Sequence, residues 1–301
     1  MLQTASRIRR GYLYALLAAV CGGATPTLSK LSLAGSGPIQ VSAIAFVLSG
    51  LILLPIKPRE VPRRMSLKFV VFFGLLGAAL SPVIYQAGLN ATTAVNASLL
   101  SNGEGLFTTL IAFAVFGERL PGRQLARGLL IVAGIVLVST NLDLTGVQFY
   151  QGLEGNLLIL LSMFIWSVEN NLIISPTRRF GASLITKYRN IIGGVVLLAI
   201  VAALGLGLNL SPLWFTYVFL LGLSLGATSY LAISALGDIG AIRFILVFST
   251  STIFGALFAL VVLREQITPV QLTGGALIMV GVYLLQRAER LLPIVRSAKS
   301  E

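Results

Sequence analysis

The chain has no histidine and a single cysteine, Cys21. No disulfide can close within it, and it offers no imidazole for a Ser–His dyad, a haem or a zinc site. Charge is scarce as well. Only 11% of the 301 residues are charged, against about 25% in an average soluble domain. The scarcity is uneven, with 10 Asp+Glu and 22 Lys+Arg. So few charges cannot cover a wetted surface, which argues against a soluble enzyme and a disordered chain. The basic excess does not indicate nucleic acid either, because basic residues lie between long apolar runs. That is the pattern of loops facing anionic lipid and cytoplasm. No G-x-x-x-x-G-K-[ST] segment occurs, so ATP-driven pumping by this chain alone has no support.

What is abundant is apolar: 56% of residues are hydrophobic, 31 are glycine, and the mean hydropathy is +0.92. A helix needs about 20 mostly apolar residues to cross the hydrocarbon core. Ten such stretches are read, at 11–33, 38–56, 67–88, 93–116, 123–140, 153–175, 182–206, 212–235, 240–262 and 267–286. Breakers such as Gly35-Ser36-Gly37-Pro38, Pro121-Gly122 and Ser211-Pro212 fall in the seams. Short connections predict that sequential helices are antiparallel neighbours. Arg7, Arg9 and Arg10 before the first run imitate a signal peptide, but Val20 stands where a cleavage site wants a small residue, and the run resumes past Thr27. A retained first helix is expected.

Ten spans with a cytoplasmic N-terminus put 20 of the 22 basic residues on the inner side. These include Lys57, Arg59, Arg63, Arg64, Arg119, Arg178, Arg179, Lys187 and Arg189. Only Lys30 and Arg264 remain outside, with Asp143, Glu154 and Glu265. The expectation is a multi-pass protein of the cell membrane (inner or plasma membrane) with both termini cytoplasmic.

Shifting the second half onto the first by 147 residues superposes Glu118 on Glu265, Gln124 on Gln271, Gly128 on Gly275 and Gly134 on Gly281. It also places Leu89 on Leu236, Leu99 on Leu246 and Phe107 on Phe254. Each copy holds five spans, an odd number, so the copies are inverted. Inverted repeats are a common design of secondary transporters, with the site between repeats near mid-membrane. The fold expected is an all-α integral membrane protein of ten transmembrane helices, as two inverted five-helix repeats. These occupy 11–140 and 151–286, with tails at 1–10 and 287–301.

The segment Ser101-Asn102-Gly103-Glu104-Gly105-Leu106-Phe107, leading to Phe116-Gly117-Glu118-Arg119-Leu120, resembles the signature of the EamA family of the drug/metabolite transporter superfamily. Both halves look like EamA units. The resemblance implies a ten-helix inverted-repeat fold and export or exchange of small metabolites. Where the family pattern often reads Glu-Pro, this chain has Glu104-Gly105, and glycine also permits a bend.

Glu104 lies halfway along the fourth span, where a charge costs at least about 2.5–3.5 kcal/mol and must face a cavity or a partner. Ala94, Ala97, Ser101, Glu104, Gly105, Thr108 and Ala112 make one small, polar stripe at helical spacing, beside Asn102. Either it lines a cavity, with Glu104 as a proton or substrate-cation site, or it is a tight interface in which Glu104 is structural. Glu169, nearer the cytoplasmic end of the sixth span, shares a face with Ser162, Trp166 and Asn170. An aromatic wall with a carboxylate suits an amphipathic or cationic solute, and a polar helix end reaching the headgroups fits as well. The two acids stand on different helices, set apart from the basic residues. They have no repeat mates, because Glu104 falls on Ser251 and Glu169 near Ala24, so an asymmetric site is expected. Tyr85 and Gln86 in the third span, and Thr228-Ser229-Tyr230 in the eighth, offer two pocket walls or ordinary packing. Lys30 either attracts an anion or snorkels. Glu118 and Glu265 read as helix-capping and salt-bridging groups.

These readings converge on a secondary transporter, an exporter or antiporter of small organic metabolites such as amino acids or drug-like solutes. Proton coupling through Glu104, or else Glu169, would drive it. An uncoupled facilitator would share the fold, and a structural or lipid-handling subunit is the remaining alternative. No catalytic group, cofactor or metal site is expected. The partners expected are a small-molecule solute and the lipid bilayer, not nucleic acid, and the chain suffices as a monomer.

Overall fold

The computed structural model describes residues 2–56, 67–116, 122–142, 147–180, 182–209, 211–239 and 241–289. Among them the chain forms ten rods. The first two are α1 (Leu2–Leu33) and α2 (Pro38–Ile52). The third runs through α3 (Leu67–Leu75), a π turn (Leu76–Leu80) and α4 (Ser81–Ala91). The fourth is broken into α5 (Ala94–Leu100) and α6 (Gly103–Phe116), and α7 (Gly122–Thr140) is the fifth. Then follow α8 (Val147–Phe180), α9 (Ala182–Ala203) and α10 (Pro212–Ile239). The ninth is broken into α11 (Ala241–Phe248) and α12 (Ser251–Val262), and α13 (Pro269–Glu289) is the tenth. Among the described residues, five segments are long and apolar enough to cross a membrane: Arg7–Leu33, Lys68–Ala91, Gly152–Ile173, Ser183–Ala203 and Pro212–Leu236. Shorter apolar helices include Pro38–Ile52, Ala126–Thr140, Ser251–Val262 and Pro269–Leu284.

The ten stretches read from hydropathy are present, with corrections. Residues 2–10 continue α1 as helix instead of forming a separate tail. Their extension has a physical basis. Arg7 Nε and Arg10 Nε donate to Asp238 at 3.0 and 2.9 Å, joining the start of α1 to the end of α10. An acid at a helix C-terminus opposes the dipole, and the two guanidinium groups offset this. The Arg10 hydrogen bond holds the Asp238 carboxyl below the usual carboxylate range. The contact therefore stabilises above the unfolded carboxyl's pKa and fades as pH falls through the lower, folded one.

The helices do not pack mainly against their sequence neighbours, contrary to the short-loop expectation. α1 lies chiefly on α10 and α12, α2 on α9 and α10, α8 on α4 and α6, and α7 on α13. All of these pairs join one repeat to the other, and they recur under repeat exchange. In the α7–α13 crossing, a Cβ on Gly134 would strike Ile278 and one on Gly281 would strike Ile131, which is the same contact displaced by 147 residues. In the α2–α9 crossing, Gly50 lies against Ile191 and Gly194 against Val47. Lipid supplies no hydrophobic drive between helices, so close approach over small residues and interhelical hydrogen bonds must hold the bundle. Accordingly Ser29, Ser32, Ser42, Ser49, Ser81, Ser162 and Ser167 are fully buried, while Leu129, Val136, Val261 and Leu272 lie on the outside.

At the α4–α8 crossing, Gly88 and Gly155 face each other's backbone. A Cβ on either would sit 2.7 Å from the other's carbonyl oxygen. Ser81 and Ser162 exchange hydrogen bonds from hydroxyl to carbonyl at 2.9 Å in both directions. Gly155→Leu is expected to lower the thermal midpoint in detergent, by about 1–3 kcal/mol of overpacking. Gly152→Ala, where a Cβ meets nothing within 4 Å, should hold or raise it.

Candidate functional site

The two breaks arise where polar residues interrupt apolar helices. Ser101-Asn102-Gly103 is a turn-forming sequence. Ser101 Oγ donates back to Ala97 O at 2.7 Å, and the Asn102 N–H tightens to Leu99 O at 3.4 Å. In the ninth rod the run Ser249-Thr250-Ser251-Thr252 competes for the backbone in the same way. There Thr250 Oγ1 donates to Val247 O at 2.6 Å. The breaks face each other, since Asn102 Nδ2 donates to Thr252 Oγ1 at 2.5 Å. Gly23 on α1 closes this crossing, because a Cβ there would meet Ser251 O and Phe254. Broken helices at matching places in inverted repeats are the strongest structural pointer to a transporter's binding site. Neither break was anticipated, because each span was read as one continuous helix. They also interrupt the stripe read as continuous, leaving Ala94 and Ala97 fully buried on α5 and Glu104 on α6.

Glu104 stands in the first turn of α6 and is half-buried. Three side chains of α8 meet it or its helix. Asn170 Nδ2 donates to Glu104 Oε1 at 2.5 Å, and Ser167 Oγ donates to Glu104 O at 2.9 Å. Asn171 Nδ2 donates to Thr108 O at 3.2 Å. Tyr85 packs on Trp166 with ring centroids 5.7 Å apart, and it interacts with Ser101. The structure thus brings together Tyr85, Ser101, Glu104, Trp166 and Asn170. Asn102 and Thr252 join the breaks beside them, with Ser251 adjacent.

The other predicted residues are differently placed. Glu169, with its partner Arg189, lies within electrostatic reach of Glu104 but does not reach headgroups. It is wholly buried, and Arg189 Nη1 donates to its Oε1 at 2.7 Å. This corrects the separation of acids from bases read in the sequence. Arg189 belongs to the interior of α9, not to a cytoplasmic loop. Lys187 is likewise buried on α9 and donates to Ile56 O at 3.2 Å. Ser162 is spent on its exchange with Ser81. Tyr230 is 39% exposed on α10, within electrostatic reach of Arg10 rather than opposite Tyr85. Lys30 sits at the end of α1 away from the N-terminus, where its Nζ donates to Leu89 O and Thr92 O, both at 2.6 Å. Glu118, Arg119, Asp143, the basic residues between 57 and 64 and the tail beyond 289 lie outside the described residues.

The π turn explains how the Glu169–Arg189 pair fits. Ser81 N–H bonds five residues back, to Leu76 O. In that register Gly77 O would require an N–H from residue 82, which is Pro82 and has none. The orphan carbonyl is taken instead by Trp166 Nε1 at 2.8 Å, with Arg189 Nη2 at 3.5 Å. A Cβ at Gly77 would overlap the Glu169 carboxylate. Pro82 was in view in the sequence. Arg189, Ser167, Asn171 and Thr252 were missed, and the available signal was a charge seven residues inside an apolar helix. Among the described residues, no cluster of three or more His, Cys, Asp or Glu could hold a metal ion.

Comparison with known proteins agrees with this architecture. The sequence profile of the EamA-like transporter family matches twice, over residues 9–140 and 153–287. An uncharacterized transporter of Methanothermobacter thermautotrophicus is 29% identical over 295 residues, covering 91% of this chain and 85% of its own. A WAT1-related chloroplastic protein of Arabidopsis thaliana is 25% identical over 277 residues, covering 84% of this chain and 64% of its own. One solved crystal structure superposes with a TM-score of 0.67 at 18% identity, covering 94% of this chain and 99% of that one. At that identity the likeness speaks to the fold.

Proposed function

The chain belongs to the EamA-like transporter family, and from that premise we propose that it carries a small organic solute by alternating access, exchanging it for protons at Glu104. A multi-pass membrane transporter is what the family and the apolar helices establish. Coupling, solute class and direction are our reading. One observation supports it most. Glu104 is a half-buried carboxylate in the first turn of a half-helix, beside the point where the two broken spans meet. An ionisable group at that depth is expensive and is a functional group by default. Asn170 holds one of its oxygens, and Tyr85 and Trp166 form an aromatic wall nearby. That combination suits a small amphipathic solute such as an amino acid or a drug-like amine. The distribution of basic residues supports cytoplasmic termini in a cell membrane; export, and action as a monomer without cofactor or catalytic step, complete our reading.

The test is transport in proteoliposomes of a solute identified by a metabolite-resistance screen. An imposed pH gradient should accelerate uptake, and a protonophore should remove the acceleration. Equal rates with and without the gradient would make the protein a facilitator.

A further inference from the structure

We propose that Lys30 and Glu265 form a latch that holds shut one side of the junction between the two repeats, the seam of α5 on α12, and that both release when that side opens. The two residues act on a single junction, the turn between α4 and α5, from opposite sides. Glu265, in the connection from α12 to α13, takes the front of α5. Its Oε1 accepts the Ala94 N–H and its Oε2 the Val95 N–H, each at 2.9 Å. Thr93 Oγ1 accepts the Asn96 N–H at 3.0 Å, so the first three donors of α5 are satisfied. Lys30, from α1, takes the end of α4 through the Leu89 and Thr92 carbonyls. A negative group thus meets a helix N-terminus and a positive group a helix C-terminus, the favourable sense at each end. Both residues carry charge-assisted hydrogen bonds, which are stronger than neutral ones yet reversible.

Three further observations give the contact a purpose beyond capping. First, it ties the repeats together: Glu265 belongs to the second half of the chain, whereas Ala94 and Val95 belong to the first. Second, the end of α12 is shaped to present it. Arg264 takes the left-handed position that terminates the helix, at φ 56°, and the Glu265 N–H closes back on Ala259 O at 3.2 Å, which turns the chain off α12 and directs Glu265 toward α5. Third, the latch lies over the seam where α5 packs on α12. A Cβ on Gly255 would strike Ser98 Oγ. The inverted counterpart of that seam, between α6 and α11, shows no packing of comparable extent among the described residues. Among the described residues, the seam under the latch is therefore packed while its counterpart is not. Parting α5 from α12 opens the sealed side, and that requires Glu265 to leave α5; if α1 moves with α12, on which it packs, Lys30 leaves α4 as well.

The reporter is a cysteine at the sealed seam: Ser98→Cys in a Cys21→Ser background, with the full chain in proteoliposomes. A membrane-impermeant maleimide is applied from the Lys30 side. With the latch intact, labelling of the 98 thiol should be slow. Glu265→Gln combined with Lys30→Met should speed it by about tenfold or more. Glu154→Gln, which alters an exposed acid on the same side, should leave the rate unchanged. Monodispersity and full labelling after denaturation establish that each variant is folded and complete. If the double variant fails that check, the two single variants and Glu265→Asp give the same readout. Folded latch variants that label as slowly as the parent would overturn the proposal. Labelling needs neither solute nor pH gradient, so the latch and the Glu104 reading can fail independently.

Discussion

Arg189→Met should cost the folded bundle about 3–5 kcal/mol, seen as a large fall in thermal midpoint in detergent. The reason is the partner left behind. Glu169 is fully buried and its Oε2 has no hydrogen-bond partner, so the guanidinium bond to Oε1 is its one compensation. Without Arg189, the carboxyl group is left in a low-dielectric interior with nothing opposite it, and it must either hold an uncompensated charge or take up a proton, each at a cost to the fold. Replacing both members by apolar residues of similar size, Glu169→Leu with Arg189→Met, should restore most of the loss, because a buried ion pair is often no better than good apolar packing. The contrast between single and double variants is the test. Equal loss in both would mean that shape, not charge compensation, determines stability at this place. Gly77 leaves no room for a ligand at the Glu169 carboxylate, which fits a structural pair.

Glu104→Gln should abolish gradient-driven uptake while leaving a folded protein. The amide keeps the shape and one acceptor oxygen, so the Asn170 contact survives in part, but it cannot load or release a proton. Exchange of solute for solute, which needs no proton, should persist. Glu104→Asp keeps the carboxyl group one methylene shorter and should retain part of the gradient-driven rate. Unchanged pH dependence in the glutamine variant would remove this carboxylate from the coupling step.

The sequence made the spans and the duplication legible because both are properties of single segments. Hydropathy reports whether a stretch belongs in lipid, and self-comparison reports common ancestry. Gly134 and Gly281 could therefore be matched before their helices were seen to cross. What could not be read was which helix meets which. Glu265 was recognisable as a capping group, but nothing in its neighbourhood indicated that the helix it caps begins at Ala94. The break at Ser101-Asn102 was missed because the polar run from Ser101 to Gly105 was read as part of one face of a continuous helix, not as an interruption of it. Arg189 was assigned to the membrane edge because it lies within two turns of the start of its span. Glu169 is 20 residues away on another helix, and only the fold brings the two together.

The cross-repeat pairing has a consequence for how the protein is made. When the first five helices have left the ribosome, many of their polar groups still lack partners. Ser81 waits for Ser162, Glu104 for Asn170, the Ser32 carbonyl for the Trp214 indole, and the start of α5 for Glu265. The nascent first half must therefore sit in the bilayer with unsatisfied groups until synthesis is nearly complete. During that interval it depends on the insertion machinery, and a pause or truncation near the midpoint of translation would expose it to membrane quality control.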